Sequence, residues 1–249
     1  MYDLPLYVWA LVLIAAIGFP MTTSVALYSG AVATGLGRRA AFRVTATAGV
    51  MLGGWLVISG VLAGIGVYRQ DPGDVVPWLP IAAASFLIAL LLATRIPLVS
   101  RILGDPGTAA RLTFPHTLRI AGVVFLIVMG LGHLPTAFAL PAGLGDMAIG
   151  LAAPFVARRL ANGIGRNEAV RFHVLGIVDL VVAGSTGFLL LGPIEVIPST
   201  APLLLLPLAL ILTVAVPLAA ALHIMSLRRL RAPALEDPAG SLLPVPAAG

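Results

Sequence analysis

The sequence predicts an all-α membrane protein, a bundle of seven transmembrane helices with the N-terminus outside and the C-terminus inside. Three observations carry this. Of 249 residues, 59% are hydrophobic and 10% charged, where soluble domains carry about 25% charged residues, and the mean hydropathy is +1.06. The apolar residues come in runs of about 20, the length that crosses a hydrocarbon layer of ~30 Å at 1.5 Å per residue. The breaks between the runs alternate between arginine-rich and arginine-poor.

The expected spans, in order, cover residues 5–29, 44–68, 77–98, 118–138, 141–158, 171–191 and 202–227. Each must be helical, because hydrocarbon offers an open backbone no hydrogen-bond partner. The first span follows "MYDLPLYVW", which lacks a basic leading segment, so it is expected to stay as an anchor. The second carries Gly49, Gly53, Gly60 and Gly64 on one stripe, a pattern that lets membrane helices approach closely. Spans four and five are joined by the short apolar "LPTAFALP" and form a tight hairpin. Pro20, Pro154, Pro207 and Pro217 fall inside spans one, five and seven, where each removes a backbone donor. Residues 1–231 therefore form one membrane domain, and the Pro/Ala/Gly-rich stretch 232–249 is expected to be a disordered cytoplasmic tail.

Orientation follows from arginine. Fourteen of the fifteen arginines, Arg95, Arg119 and Arg171 among them, fall in alternate breaks, and Arg69 alone lies on the other side with Asp3, Asp71, Asp74 and Glu195. Basic residues stay cytoplasmic, which places the chain as a multi-pass protein of the plasma (inner) membrane. The net charge of +5 thus follows topology, and no nucleic-acid partner is expected. The chain has no cysteine and no lysine, which excludes disulfides, thiolate metal sites and a chromophore held as a lysine Schiff base.

Candidate functional residues are the polar groups inside apolar spans. Gly143–x–x–Asp146 in span five is repeated as Gly176–x–x–Asp179 in span six. Each aspartate lies about 40–60° from the small residues on its helix, so it is expected to point into the bundle. A charge at the bilayer centre costs at least ~2.5–3.5 kcal/mol, and such residues are functional candidates by default. Counted from the expected span ends, Asp146 lies about 8 Å below the outer boundary and Asp179 about 12 Å above the inner one. They are therefore expected roughly 10 Å apart in height, as successive rungs of a solute or ion pathway. His133, at the end of span four, is the expected partner of Asp146. His116, His173 and His223 are expected near the cytoplasmic helix ends, capping helices or facing headgroups, with a metal site as the minor reading because no two share a ligand spacing. Arg95, Arg119 and Arg171 are candidate contacts for an anionic headgroup or solute. No cofactor is expected.

The chain resembles uncharacterised bacterial multi-pass membrane proteins, a resemblance that implies no activity. Its seven spans, with mid-helix prolines at Pro20 and Pro154, also resemble the 3+1+3 topology of the sugar-transporting SWEET family, but that family's proline–glutamine signature is missing. The function expected first is a small transporter or permease that moves a small solute or protons through the intramembrane aspartates. The alternatives are a receptor, scaffold or accessory subunit, homo-oligomeric or bound to a membrane-protein partner, and a membrane enzyme or redox carrier built on the cytoplasmic-side histidines.

Overall fold

The computed structural model describes residues 4–70, 76–191, 194 and 196–231. The expected tail, 232–249, and the acidic residues Asp3, Asp71, Asp74 and Glu195 lie outside the described residues. Among those described there is no strand. The elements are α1 (Leu6–Ala33), α2 (Arg38–Gly64), α3 (Trp78–Ala93), α4 (Pro97–Leu103), α5 (Thr108–Gly130), α6 (Thr136–Ala161), α7 (Arg166–Leu189) and α8 (Ile211–Arg231), with a 3-10 turn at Ala201–Leu204 before the last.

Six of these helices are long and apolar enough to cross a membrane, and the number is seven if α3 and α4 count as one span. That pair is bent by 85°. The break falls at Thr94–Ile96, just before Pro97, whose ring disfavours helical backbone in the residue ahead of it. The medium is also legible in the outward faces. Phe42, Val50, Met51, Val57, Ile58 and Val61 of α2 are exposed, a row of apolar side chains that lipid accepts and water does not.

The expected boundaries shift throughout, and the shifts in spans four, five and seven bear most on the site. Spans four and five, expected at 118–138 and 141–158, run instead over Thr108–Gly130 and Thr136–Ala161. The hairpin between them is closed by backbone chemistry at 130–135. Gly132 adopts φ +80°, its N–H donates to Met129 O at 2.9 Å, and the His133 N–H donates to Val128 O at 3.0 Å, the paired closure that a left-handed glycine gives a helix end. Pro135 then precedes the first turn of α6, and Pro141, expected to break the chain, is carried within that helix. The last span begins at Ile211, after the turn that holds Pro207, and opens with one wide π turn, Ile211–Ala215.

The helices close on each other around several apolar clusters. Val8, Val12 and Ala16 of α1 meet Val124, Phe125 and Val128 of α5 and Phe138, Ala139 and Ala142 of α6. Phe19, Leu52, Phe86, Leu112, Leu218 and Leu222 form a second cluster, in which Trp55 stacks on Phe86 at 5.0 Å. The glycines of α2 do not make the close approach expected of them. Gly49, Gly60 and Gly64 stand at ordinary contact distance from Ser24, Leu210 and Leu206, and nothing lies within 4 Å of a Cβ built on Gly53. Where α2 meets the π turn of α8, a neutral polar group is buried: Ser59 Oγ is 2.5 Å from Thr213 Oγ1 and 3.2 Å from Tyr68 Oη, and Trp55 Nε1 donates to Thr213 O at 2.8 Å.

The arginine-rich ends are tied together at one end of the bundle. Arg101 Nη2 donates to Thr34 O at 3.0 Å, Arg229 Nε to Asp105 O at 3.2 Å, and Arg166 Nη2 to Leu230 O. Arg95 and Arg171 are exposed. Arg119 leaves this set, because α5 starts ten residues earlier than expected and places it mid-helix.

Candidate functional site

The site begins with an unusual stretch of α5. Residues Phe114–Gly122 are 3-10 rather than α, and runs of that helix longer than three or four residues are uncommon. With three residues per turn, side chains at i and i+3 eclipse. Thr113, His116, Arg119 and Gly122 therefore share one face, and all four are buried. Pro115 lies at the start of this stretch, inside α5, where it removes a backbone donor just as the helix changes from α to 3-10.

Arg119, 6% exposed, is the hub. Its Nε donates to Asp146 Oδ1 of α6 at 2.6 Å. Its Nη2 donates to Asp179 Oδ2 of α7. Its Nη1 donates to His223 Nε2 of α8 at 3.0 Å and has Gly176 O at 3.5 Å. One guanidinium thus holds three helices against α5. The two carboxylates, expected about 10 Å apart in height, converge on it. Asp146 lies ten residues from the start of α6 at Thr136, and Asp179 ten residues from the end of α7 at Leu189, so both sit about 15 Å from the same side. Asp146, for which His133 was the expected partner, pairs with Arg119. His133 belongs to the hairpin at the end of α5, where its backbone closes the helix.

From His223 the hydrogen bonds run on toward the arginine-rich end. His223 Nδ1 is 2.8 Å from His173 Nδ1, His173 Nε2 is 3.1 Å from Thr113 Oγ1, and Thr113 Oγ1 donates to Ala109 O at 2.6 Å. A guanidinium only donates, so His223 Nε2 accepts. In a neutral ring the proton is then on Nδ1, which donates to His173 Nδ1. His173 carries its own proton on Nε2 and passes the line to Thr113. One assignment satisfies every member.

His116 stands outside that line. Its ring stacks on His223 with centroids 3.8 Å apart and planes 19° apart, and it meets Phe19 and Phe172 edge-on at 5.8 and 5.9 Å. Both of its ring nitrogens are buried without a hydrogen-bond partner among the described residues. His116, His173 and His223 are all 0% exposed. The three rings expected at helix ends facing headgroups are instead buried together, and one nitrogen from each can be chosen so that all lie within 4.8 Å of one another.

Glycines make the room. A Cβ at Gly122 would run into Asp146, at Gly145 into the Asp179 carboxylate, at Gly176 into the His223 ring, and at Gly150 into the backbone of Ile120. The two Gly–x–x–Asp repeats therefore serve different ends: Gly143 lets α6 close on Leu126, while Gly176 makes space for a histidine. A cavity of about 30 Å³, lined by Arg119, Asp146 and Gly122 with Ala15 and Phe19 of α1, borders the cluster and has room for one or two waters, roughly.

Sequence reasoning placed both aspartates in the bundle, put Arg119 at the membrane edge as a candidate headgroup or solute contact, and missed Gly145. A signal for the internal position of Arg119 existed. Thr113, His116, Arg119 and Gly122 recur every third residue, the period of a 3-10 face.

A family model described as Domain of unknown function (DUF8737) matches residues 76–231, a segment that contains every side chain of the cluster and leaves α1 and α2 outside. No curated protein and no solved structure matches the chain.

Proposed function

The chain belongs to the DUF8737 family, and we propose that it is a small plasma-membrane transporter of seven spans, N-terminus outside and C-terminus inside, in which Asp146, Arg119 and Asp179 couple helix movement to protons. The observation that carries this reading is one buried guanidinium shared by carboxylates from two different helices. A staple between helices needs one carboxylate. With both ionised, the second leaves a net charge of −1 in a medium where an isolated charge costs several kcal/mol. A single proton removes that charge and weakens the hold of Arg119 on α6 or on α7. Proton uptake thus becomes a change in helix spacing, which is what a coupled transporter needs. The clustering of arginine at one end of the bundle supports the orientation, and the bent α3–α4 pair supplies the seventh span.

The lack of cysteine makes the test clean. Ala15, 6% exposed, lines the cavity beside Arg119 and Asp146. Divided by the rate of a free thiol at the same pH, which removes the change in thiolate fraction, the rate at which an Ala15→Cys variant in liposomes reacts with a maleimide should rise as the pH falls through the range in which the carboxylates titrate. Adding Asp179→Asn should make that rate flat. The small size of the cavity favours a second reading, a receptor, scaffold or accessory subunit whose cluster only locks helices. Under that reading labelling is slow in both variants and, after the same division, independent of pH.

A further inference from the structure

We propose that His116, His173 and His223 bind a divalent late first-row transition-metal ion, and that this ion and the Arg119–His223–His173 hydrogen bonds exclude one another. The inference concerns binding alone and does not rest on the transport reading.

The three rings come from α5, α7 and α8, and each is completely buried. Imidazole nitrogens bind zinc at about 2.0–2.1 Å, which in a tetrahedral site sets them roughly 3.4 Å apart. Here His173 Nδ1 and His223 Nδ1 are 2.8 Å apart, and the full set of three lies within 4.8 Å. Binding requires the nitrogens to move from within 4.8 Å of one another to that tetrahedral spacing and the stacked rings of His116 and His223 to tilt out of parallel, so that both lone pairs meet at the ion.

His116 is the independent pointer to a ligand. A buried polar group left without a partner costs about 1–3 kcal/mol. Here both nitrogens of one ring are in that state, in an aromatic pocket that a phenylalanine would fill without the cost. A metal ion meets the need with a single lone pair. The donor set then selects the ion. There is no thiolate, and the nearby carboxylates are engaged by Arg119, so the ligands are neutral imidazoles. These suit zinc, copper, nickel and cobalt rather than magnesium or calcium. Three protein ligands leave a fourth position open. The two aspartates outnumber the guanidinium beside them, so with all three ionised the adjoining cluster is negative and favours a cation.

Exclusion follows from counting lone pairs. Neutral His223 has one. In the line described above it accepts from Arg119, and its proton goes to His173. Once the ion takes either nitrogen of His223, the other must carry the proton. Arg119 Nη1, which can only donate, then loses its partner on His223 and keeps Gly176 O, now 3.5 Å away. The Nδ1–Nδ1 bond is lost for the same reason, since two ligating lone pairs cannot share a proton. Metal loading therefore changes what holds Arg119 while leaving both of its carboxylates in place.

The test uses the full chain in detergent, stripped with a chelator and dialysed against Zn²⁺ or Co²⁺. The wild type should bind one ion per chain, and Co²⁺ should give the visible absorption of a four-coordinate, imidazole-ligated ion. His116→Phe, which keeps the ring volume and leaves the hydrogen-bond line intact, should weaken Zn²⁺ binding beyond the roughly 10–100-fold that loss of a supporting group costs. In protein labelled with ¹⁵N-histidine, the proton shared by His173 and His223 should vanish on saturation with Zn²⁺ and persist in His116→Phe. Absence of stoichiometric binding to the wild type, equal affinity in His116→Phe, or a shared proton that survives saturation would each overturn the proposal. Should His116→Phe not fold, the wild-type cobalt spectrum decides, because a spectrum identical to the hydrated ion overturns it as well.

Discussion

Ser59, Thr213 and Tyr68 form one polar group inside the bundle, and Arg119 with its partners forms another. Both are buried and both bridge helices, yet they are built differently. The first is neutral and complete: Ser59 meets Thr213 and Tyr68, Thr213 Oγ1 donates back to Ala209 O at 2.7 Å, and Trp55 takes the Thr213 carbonyl. The second carries three formal charges and one ring with two unmet nitrogens. Hydroxyl groups of the first kind are ordinary fasteners between membrane helices, worth about 0.6 kcal/mol each on average. The second kind is expensive to assemble, and a fastener would not need it. The contrast separates a group that explains itself as packing from one for which a ligand and a moving proton are proposed above.

Substitutions can break this contrast, and the largest effect should come at the hub. Arg119→Met leaves two carboxylates buried without their cation and should cost about 3–5 kcal/mol of unfolding free energy in mixed micelles. Adding Asp146→Asn and Asp179→Asn should restore most of that loss. If the single variant is as stable as the wild type, the cluster is not the buried unit described. Next in size is Gly176→Ala, whose methyl group meets the His223 ring; overpacking of this kind costs about 1–3 kcal/mol, and Gly145→Ala should act alike through Asp179. In the neutral group, Ser59→Ala should cost only about 0.6 kcal/mol. The one change expected not to destabilise is His116→Phe, which should be neutral or stabilising by up to about 1–3 kcal/mol in metal-free protein, because it removes an unmet polar ring. The ranking is itself testable by thermal melting, and a Ser59→Ala loss as large as that of Arg119→Met would erase the difference between the two groups.

How much of this could be read from the sequence depends on the element. Membrane character and the helical spans follow from runs of apolar residues, which leave little choice of fold. The inward turn of Asp146 and Asp179 follows from small residues on the same faces. The height of the site was misplaced because Arg119 and Pro141 resemble boundaries. Hydropathy treats an arginine as the edge of a span and a proline as its end, and only the partners on other helices reveal that this arginine is internal. Likewise, His116, His173 and His223 stand far apart along the chain, with no ligand spacing, so their meeting is a fact of helix packing. Gly145 carries no signal of its own, since its role is to leave space for an aspartate on a different helix.

The hydrogen bonds that end on Arg119 have a direction that cannot be reversed, because the arginine has nothing with which to accept. Two histidines joined nitrogen to nitrogen are consequently unlike: His223 bears its hydrogen at Nδ1 and His173 at Nε2. A pair of isolated imidazoles in contact would interchange these forms freely. Here the interchange is blocked from one end, so the interior of this bundle holds a fixed polarity written in tautomers, running from Arg119 toward its basic rim.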